Sequence, residues 1–476
     1  MKLYNSLSRT RDEFIPLNPP HVGVYICGPT VYSHSHLGHG KTYVSFDVLV
    51  RYLRYLGFKV RYVQNITDVG HLTDDADAGL DKIEKQARLE KLEPMEIAEK
   101  YTRSYFSDMD ALNVARPDIC PRASGHIPEQ IELIKALIRK GHAYEVDGYV
   151  YFSVSSFPDY GRLSGRRPSE LRAGARVDVD PRKRDPLDFA LWKKAGDDHI
   201  MKWNSPWGWG YPGWHLECSA MAMRYLGNTV DIHGGGLENI FPHHESEVAQ
   251  SQGATGEQFV RFWLHNNMLT VNGQKMGKSL GNFTLLRDIF EKFSPMVVRL
   301  YILRSHYRSV LDFSDQGLES AASGLARLTA FRSRLGDPED GAGEASEQTR
   351  KLVEDTRKAF MASMDDDLNT PGALAAVFDM VRAGNSILDE NDIPGDRAAM
   401  AELLHELVTQ VLGLDLSGGA AEPEVTERLC HVLAEARSIL RKNRLFEEAD
   451  RMRDRLDEMG FATRDLPEGA SRITKK

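Results

Sequence analysis

The sequence has few cysteines and no long apolar run. Its four cysteines stand far apart, at positions 27, 120, 218 and 430 of a chain of 476 residues. No uninterrupted apolar stretch of the ~18 residues that would cross a membrane occurs, and the amino terminus does not resemble a cleavable leader. These absences argue against a membrane protein and against disulfides. They predict a cytoplasmic, reduced protein whose cysteines are buried or bind a metal.

An excess of positive charge is also missing. The 60 lysines and arginines are outnumbered by 69 aspartates and glutamates, so the formal net charge is -9. This balance argues against non-specific binding of nucleic acid, although it leaves room for a local basic face. The length predicts three or four domains, because single cores stop growing near ~250 to 300 residues.

Residues 21–41 are the most informative segment, because an alternating apolar run ends there in a cysteine followed by glycine and histidines. Val22, Val24 and Ile26 share one face of a period-two pattern, which predicts a strand that stops at Cys27. A helix should begin soon after the HLGH tetrad that follows. Such a strand-to-helix turn is where α/β folds bind anionic ligands, so the segment predicts a nucleotide site beside a metal.

The next segments complete a β-α-β unit. Residues 42–57 have apolar side chains at helical spacing and end at a glycine, and residues 59–70 read as a strand that ends near Thr67. The right-handed crossover of such a unit puts both strand ends on the same rim. We therefore expect Thr67 to face the same pocket as Cys27.

The rest of the chain divides by composition. We predict an α/β protein with a Rossmann-like parallel-sheet catalytic domain that carries an insertion, followed by an α-helical bundle and a small C-terminal domain. The predicted organisation is a first half of the catalytic domain at 1–120, a connective insertion at 121–200, a second half at 201–285, a helical bundle at 286–415 and a small C-terminal domain at 420–476.

Two short motifs are weak singly and stronger together. HLGH occupies positions 36–39, and KMGKS occupies 275–279. Histidines at a strand-to-helix turn can donate to a triphosphate, and lysines on a loop can neutralise the charge that develops as pyrophosphate leaves. The candidate catalytic residues are therefore His36, His39, Lys275 and Lys278. Solvated lysines and a helix-start histidine pair are the alternative for either motif alone.

A second set of side chains offers metal ligands of mixed type. Two thiols, an imidazole and a carboxylate suit zinc better than magnesium or calcium. The candidates are Cys27, Cys218, His243 and Glu247, of which the last two are spaced i, i+4 and share a helical face. His244 and Glu245 are neighbours that could substitute. The alternative is a pair of buried free cysteines and a helical salt-bridge face.

Together, these motifs resemble those of the class I aminoacyl-tRNA synthetases, which implies a tRNA-binding role for the bundle at 286–415 and anticodon recognition by the domain at 420–476. Within that class, CGPTVY, NITD, PGWHLECSAM, DIHGGG and FPHHESE are similar to the cysteinyl-tRNA synthetase family. The resemblance implies one zinc ion on the four candidate ligands, magnesium that accompanies ATP, and an amino-acid pocket lined by Thr67 and Trp214. It implies ATP contacts by His36, His39, Asp231, Gly235 and Lys278.

The resemblance further implies a reaction. Cysteine and ATP would form cysteinyl-adenylate and pyrophosphate, and the cysteine would then pass to the 3′ end of tRNA(Cys). Zinc would recognise the thiolate of the substrate cysteine. The enzyme would act as a monomer. Two alternatives stay open: a ligase that transfers cysteine to a small amino-sugar through the same adenylate, and a non-catalytic module that binds zinc and nucleic acid.

Overall fold

The computed structural model describes residues 1–72, 81–167, 180–197, 199–276, 284–336, 343–417, 423–458, 461–465 and 471–475. The chain forms two compact units, Met1–Leu414 and Asp415–Lys476.

The first unit contains most of the strands. In chain order they are β1 (Lys2–Asn5), β2 (Thr10–Glu13), β3 (His21–Ile26), β4 (Lys59–Gln64), β5 (Ala143–Val146), β6 (Tyr149–Phe152), β7 (Phe189–Lys194), β8 (Trp203–Ser205), β9 (Gly208–Pro212), β10 (Val230–Gly236), β11 (Val260–Asn266), β12 (Leu269–Val271), β13 (Gln274–Lys275) and β14 (Leu311–Phe313).

Helices separate the strands and then take over. Those of the first unit are α1 (Leu37–Tyr55), α2 (Lys82–Glu90), α3 (Pro94–Ala111), α4 (Ile127–Arg139), α5 (Trp214–Leu226), α6 (His243–Thr255), α7 (Leu286–Phe290), α8 (Pro295–Leu303), α9 (Asp315–Leu335), α10 (Glu347–Asp365), α11 (Thr370–Glu390) and α12 (Pro394–Leu404). None of the helices described is both long and apolar enough to cross a lipid bilayer.

A four-stranded parallel sheet, in the order β11-β10-β3-β4, forms the centre of the first unit. Val22, Val24 and Ile26 are buried in β3, as their alternation predicts. The predicted β-α-β unit is confirmed, because β3 and β4 pair in parallel and α1 connects them. Gly57 follows α1 at φ 87°, where its N–H donates to the Arg54 carbonyl, so the glycine ends the helix as predicted.

The insertion is an antiparallel sheet of five strands in the order β5-β6-β7-β9-β8. It extends to Pro212, beyond residue 200 where the sequence analysis placed its end. The reason is hydrogen bonding: Trp192 of β7 pairs with Pro212 of β9, and β9 pairs in turn with β8. Glycine and tryptophan in this stretch therefore belong to a strand pair rather than to the second half of the parallel sheet.

The helices in the later part of the first unit end before segments rich in glycine, proline and aspartate. Helix α9 ends before the GDPEDG segment, and α11 ends before the NDIPGD segment. Side-chain caps start three of these helices: Ser314 accepts from Gly317 N, Ser346 from Thr349 N and Asn369 from Gly372 N. Residues His405–Val411 continue α12 as a π-helical turn. The predicted fold class, a parallel α/β core with an insertion and a helical C-terminal region, is confirmed.

The second unit is a small α+β module. It contains α13 (Pro423–Lys442), α14 (Phe446–Glu458) and an antiparallel hairpin of β15 (Phe461–Asp465) and β16 (Ser471–Lys475). Cys430, Leu456 and Ile473 form its core. The last described residues, 471–475, thus form a strand of this hairpin.

Candidate active site

The strand order of the parallel sheet reverses between β3 and β10. From β3 the chain goes to β4 on one side, and it later goes from β10 to β11 on the other. The crevice at the carboxyl ends of two such strands is where open α/β sheets bind ligands. Cys27 is the residue that follows β3, and its N–H donates to the Gly234 carbonyl of β10 at 2.9 Å. Cys27 therefore lies at this switch point.

Three side chains from two helices meet Cys27 there. The Cys27 Sγ lies 3.8 Å from the Cys218 Sγ and 3.8 Å from Glu247 Oε1. His243 Nε2 lies 3.1 Å from the same carboxylate oxygen, because the i, i+4 spacing puts both side chains on one face of α6. One ligand atom from each of the four lies within 4.8 Å of the others, and all four residues are buried. The structure thus brings together the four residues that the sequence analysis proposed as metal ligands.

A second pair of histidines adjoins this cluster. His233 Nε2 lies 2.9 Å from Glu247 Oε2, and His244 Nε2 lies 3.2 Å from the Cys27 Sγ. Cys27, His233, His244 and Glu247 thereby form a second group with metal-binding geometry. The sequence analysis named His244 as a substitute ligand and did not single out His233. Glu245, the other named substitute, lies apart from the cluster, because its carboxylate accepts from Ser164 N at 2.7 Å.

A chain of polar side chains leads away from Cys27. His244 Nδ1 lies 2.7 Å from His265 Nε2, and His265 Nδ1 lies 2.8 Å from Ser6 Oγ. A thiolate at Cys27 only accepts hydrogen bonds, so it requires the proton of His244 on Nε2. His265 must then donate through Nε2 and accept from Ser6, which assigns one tautomer to each ring. The sequence signal for His265 is its position directly after the apolar run Phe262–Leu264 of β11.

In the absence of a cation, burial disfavours the charged forms of the side chains in this cluster. It raises the pKa of the Cys27 and Cys218 thiols and lowers the pKa of His243 to about 3. A divalent cation reverses the effect on the thiols, because coordination deprotonates them, and it binds the neutral form of imidazole. Two sulfurs, a nitrogen and a carboxylate oxygen form a donor set that fits zinc.

Trp214, expected to line the amino-acid pocket, begins α5 and lies beside the cluster. Its ring stacks on that of His71, with centroids 3.9 Å apart and 8° between the planes. The centroid of the Trp214 ring also lies 4.3 Å from that of the His243 ring. His71 is held by Thr30, whose Oγ1 lies 2.6 Å from Nδ1, and by Lys82, whose Nζ lies 2.7 Å from Nε2. The sequence analysis did not identify His71.

Thr67 connects to the same cluster through one side chain. The amide of Asn65 donates to Thr67 Oγ1 at 3.1 Å, and its Oδ1 accepts from Gly28 N at 2.8 Å. Asn65 Oδ1 also lies 3.6 Å from the Cys218 Sγ. Thr67 in turn donates to the buried carboxylate of Glu217 at 3.0 Å. Thr67 and Cys27 are thus on the same rim, as the β-α-β argument predicts.

HLGH, the first of the two signature motifs (KMGKS is the second), lies where α1 begins. The rings of His36 and His39 stack with centroids 3.8 Å apart, and His39 Nδ1 accepts from His36 N at 3.3 Å. Gly235 lies at the carboxyl end of β10, where a Cβ would come within 2.8 Å of Asn239 Nδ2. A side chain at this position would require the side chains of Asn239 and His244 to shift.

Asp231 does not lie at the carboxyl end of the sheet with HLGH and Gly235, and KMGKS is described only in part. Asp231 lies at the amino end of β10, and its two carboxylate oxygens accept from Leu17 N at 2.6 Å and from Gly23 N at 2.8 Å. It is therefore at the edge of the sheet opposite to Cys27, where it holds backbone. Lys275 is the last residue of β13. Lys278 lies outside the described residues.

Comparison with protein families identifies the class. Residues 13–323 match the family described as "tRNA synthetases class I (C) catalytic domain", and residues 359–417 match the DALR domain. The fold is shared with methionyl-tRNA synthetase from Mycobacterium tuberculosis, at a TM-score of 0.60 and 16% sequence identity over 83% of this chain and 92% of that one. The chain is a class I aminoacyl-tRNA synthetase by its catalytic domain and its fold.

Relatives of known activity narrow the assignment. The chain is 53% identical over 478 residues to the cysteine–tRNA ligase of Chlorobium chlorochromatii, a match that covers 99% of this chain and 98% of the relative. It is 50% identical over 473 residues to the cysteine–tRNA ligase of Thermus thermophilus, with 98% of each covered. The chain belongs to the cysteinyl-tRNA synthetase family, and its activity is that of a cysteine–tRNA ligase.

Proposed function

We propose that this enzyme selects its amino acid with a zinc ion held by Cys27, Cys218, His243 and Glu247, and that the two signature motifs act on ATP beside it. The observation that carries the proposal is the meeting of four buried donors of different type at the switch point of the sheet. A merely structural cluster would have no reason to lie where such sheets bind substrates.

The first task of these residues is to create a binding site for a thiolate. Zinc, when bound, would supply the positive charge and the soft-ligand preference that favour a thiolate over a hydroxyl. The chain supplies the orientation: His233 holds the second oxygen of Glu247, and His244 donates to Cys27. Such outer partners normally fix the geometry of metal ligands and moderate their charge.

The pocket must also hold the rest of the amino acid. Trp214 forms one wall, braced by the stacked ring of His71. Thr67 lies on the rim above the cluster, where its hydroxyl is oriented by Asn65 and Glu217. We propose that Trp214 and Thr67 orient the substrate carboxylate toward the turn after β3 and the start of α1. We infer that this alignment, rather than a covalent intermediate, accounts for most of the acceleration.

The reaction that follows is a displacement at phosphorus. A carboxylate oxygen of cysteine bonds to the α-phosphorus of ATP, the bond from that phosphorus to the bridging oxygen breaks, and pyrophosphate leaves with the electron pair. His36 and His39 would donate to the phosphates, and Lys275 and Lys278 would neutralise the leaving charge. Magnesium would accompany ATP, because phosphate oxygens are its preferred ligands.

The ATP site that we propose includes Gly235 and leaves out Asp231. Gly235 is included because it lies at the carboxyl end of β10, beside the switch point of the sheet where such folds bind ligands. Asp231 is left out because both its oxygens accept from backbone amides at the other edge of the sheet.

In the second step, a hydroxyl of the terminal ribose of tRNA(Cys) attacks the adenylate, and AMP leaves. We propose that the helices after residue 286 contact the tRNA and that the unit Asp415–Lys476 recognises its anticodon, consistent with the DALR match at 359–417. We further propose that the enzyme works as a monomer in the cytoplasm, where its three substrates meet.

The test measures the two steps separately with the purified, zinc-replete protein. Cysteine should support exchange of labelled pyrophosphate into ATP without tRNA, and a tRNA(Cys) transcript should then accept cysteine. A transcript of another tRNA is the matched control and should stay uncharged. Exchange without charging of tRNA(Cys) would refute the second step, and charging that persists after the zinc content has been removed would refute the proposed role of the cluster.

A further inference from the structure

Lys41 is a buried lysine on the first turns of α1, two residues after His39. Its side chain is 1% exposed. Its Nζ donates to the backbone carbonyl oxygens of Asn267 at 2.6 Å, of Met268 at 3.2 Å and of Ser309 at 2.7 Å. An amine that serves three acceptors uses three hydrogens, so the bonded form is the ammonium. Burial lowers the pKa of Lys41 to about 8, so the interior tolerates the charge only because the carbonyls solvate it.

The three carbonyls belong to the base of a small sheet. Asn267 and Met268 connect β11 to β12, and Ser309 lies two residues before β14. β12 pairs in parallel with β14 and antiparallel with β13. β13 ends at Lys275, the first residue of the KMGKS motif. The Lys41 ammonium therefore attaches the start of α1 to the sheet that leads into the second signature motif.

The chain on the far side of that motif is also attached to the start of α1. Leu37 N donates to the Thr284 carbonyl at 3.2 Å, and Leu286 N donates to the Ser35 carbonyl at 2.9 Å. These bonds use backbone atoms alone, so side-chain substitution does not remove them. On the near side, the attachment includes the three hydrogen bonds made by the Lys41 side chain. Lys41 is therefore a residue at which a side-chain substitution can change how the two motifs are placed relative to each other.

We propose that Lys41 is a positioning residue for the reaction with ATP, which holds the segment leading into KMGKS at a constant distance from His36 and His39. This inference rests on the proposed function of the two motifs. The zinc cluster and the Trp214 pocket are built from other elements, so loss of the Lys41 contacts should impair the ATP step and spare cysteine binding.

The experiment compares Lys41→Met, Lys41→Gln and Lys41→Arg in the full-length enzyme. Methionine fills similar space without a donor, glutamine keeps two donors, and arginine keeps the charge. Lys193→Met is the matched control, since Lys193 is 4% exposed and lies in β7 of the insertion sheet. The readouts are kcat and the separate KM values for ATP and cysteine in pyrophosphate exchange, together with zinc content.

Lys41→Met should lower the exchange kcat on the order of 100-fold, the effect of a misplacement of about 1 Å, and should raise the KM for ATP. The KM for cysteine and the zinc content should stay at the wild-type values. Lys41→Arg should recover most of the activity and Lys41→Gln less. The control variant should match wild type.

Two outcomes would overturn the inference while leaving the proposed function intact. One is a set of Lys41 variants with wild-type parameters for ATP. The other is an equal loss for both substrates accompanied by loss of zinc, which indicates general damage. If Lys41→Met does not fold, the order of the arginine and glutamine variants decides. Wild-type enzyme without cysteine-dependent exchange would instead refute the proposed function and the inference with it.

Discussion

Cys218→Ser is the change that tests the proposed zinc site most directly. Cys218 is 2% exposed and lies on α5, and its Sγ is 3.8 Å from that of Cys27. Serine has nearly the same shape but offers a hydroxyl, which is a hard ligand and is not ionised at neutral pH. The variant should fold, retain less zinc and lose most of its discrimination between cysteine and serine.

The expected size of the effect follows from the ionisation of the two substrates. At pH 7.5, ionising a thiol of pKa ~8.5 costs about 1.4 kcal/mol, whereas ionising a hydroxyl with a pKa near the ~15.7 of water costs about 11 kcal/mol. A site that recognises the ionised form can therefore reject serine by at least about 10⁴-fold, whereas a site that recognises shape alone gives roughly 10- to 200-fold. The variant should fall into the second range.

The assay is pyrophosphate exchange with cysteine and with serine, reported as the ratio of kcat/KM values, alongside the zinc content per chain. Cys120→Ser is the matched control. It makes the same change at a partly buried cysteine of the same unit, outside the groups with metal-binding geometry found among the described residues. The control should keep its zinc and its discrimination.

Two results would refute the reasoning. If wild-type enzyme activates serine with a kcat/KM within tenfold of that for cysteine, the site does not recognise a thiolate. A Cys218→Ser variant that loses zinc but discriminates as well as wild type would show that selectivity comes from the shape of the pocket, with the walls around Trp214 as the source.

Two further predictions concern stability. Arg299 is fully buried and pairs with Asp47, so Arg299→Met should lower the free energy of unfolding by about 3 to 5 kcal/mol. Arg103→Met, which removes an exposed ion pair, should lower it by less than about 1 kcal/mol. Urea unfolding followed by circular dichroism measures both changes, and equal effects would contradict the prediction. Burial lowers the pKa of His265 to about 3, so between that pH and ~6.5 the unfolded chain binds a proton at this histidine and the folded chain does not. Metal-free protein should therefore lose stability as the pH falls from ~6.5 toward ~3, by up to about 1.4 kcal/mol per pH unit for this histidine. Thermal midpoints between pH 7.5 and 5 should show a shallower slope in His265→Asn, and parallel curves would contradict this assignment.

Local patterns predicted the elements that build the site. The alternation of Val22, Val24 and Ile26 indicates β3, and the glycine at 57 marks the end of α1. The spacing of His243 and Glu247 puts both on one helical face, and the structure places their side chains 3.1 Å apart. These features depend on neighbours within a few residues, so periodicity was sufficient to find them.

Other features could not be found that way. His71, His233 and His265 come from three separate segments, and each acts through a residue more than ten positions away in sequence. Asp231 occupies a motif that the family resemblance connects with ATP, yet its place at the amino end of β10 turns its carboxylate toward Leu17 N and Gly23 N. The pairing of β9 with β7 likewise depends on a partner strand that no local pattern identifies.

By itself, the sequence determined the kinds of donor available, the secondary structure that carries them and the family to which the chain belongs. Only the tertiary structure decided which donors meet. Cys27 and Cys218 are 191 residues apart along the chain, and they approach because the sheet order puts β3 beside β10 and α5 packs against both. Proximity across such a distance is set by the packing of whole elements, because the free energy that brings them together comes from burying apolar faces rather than from the two cysteines themselves.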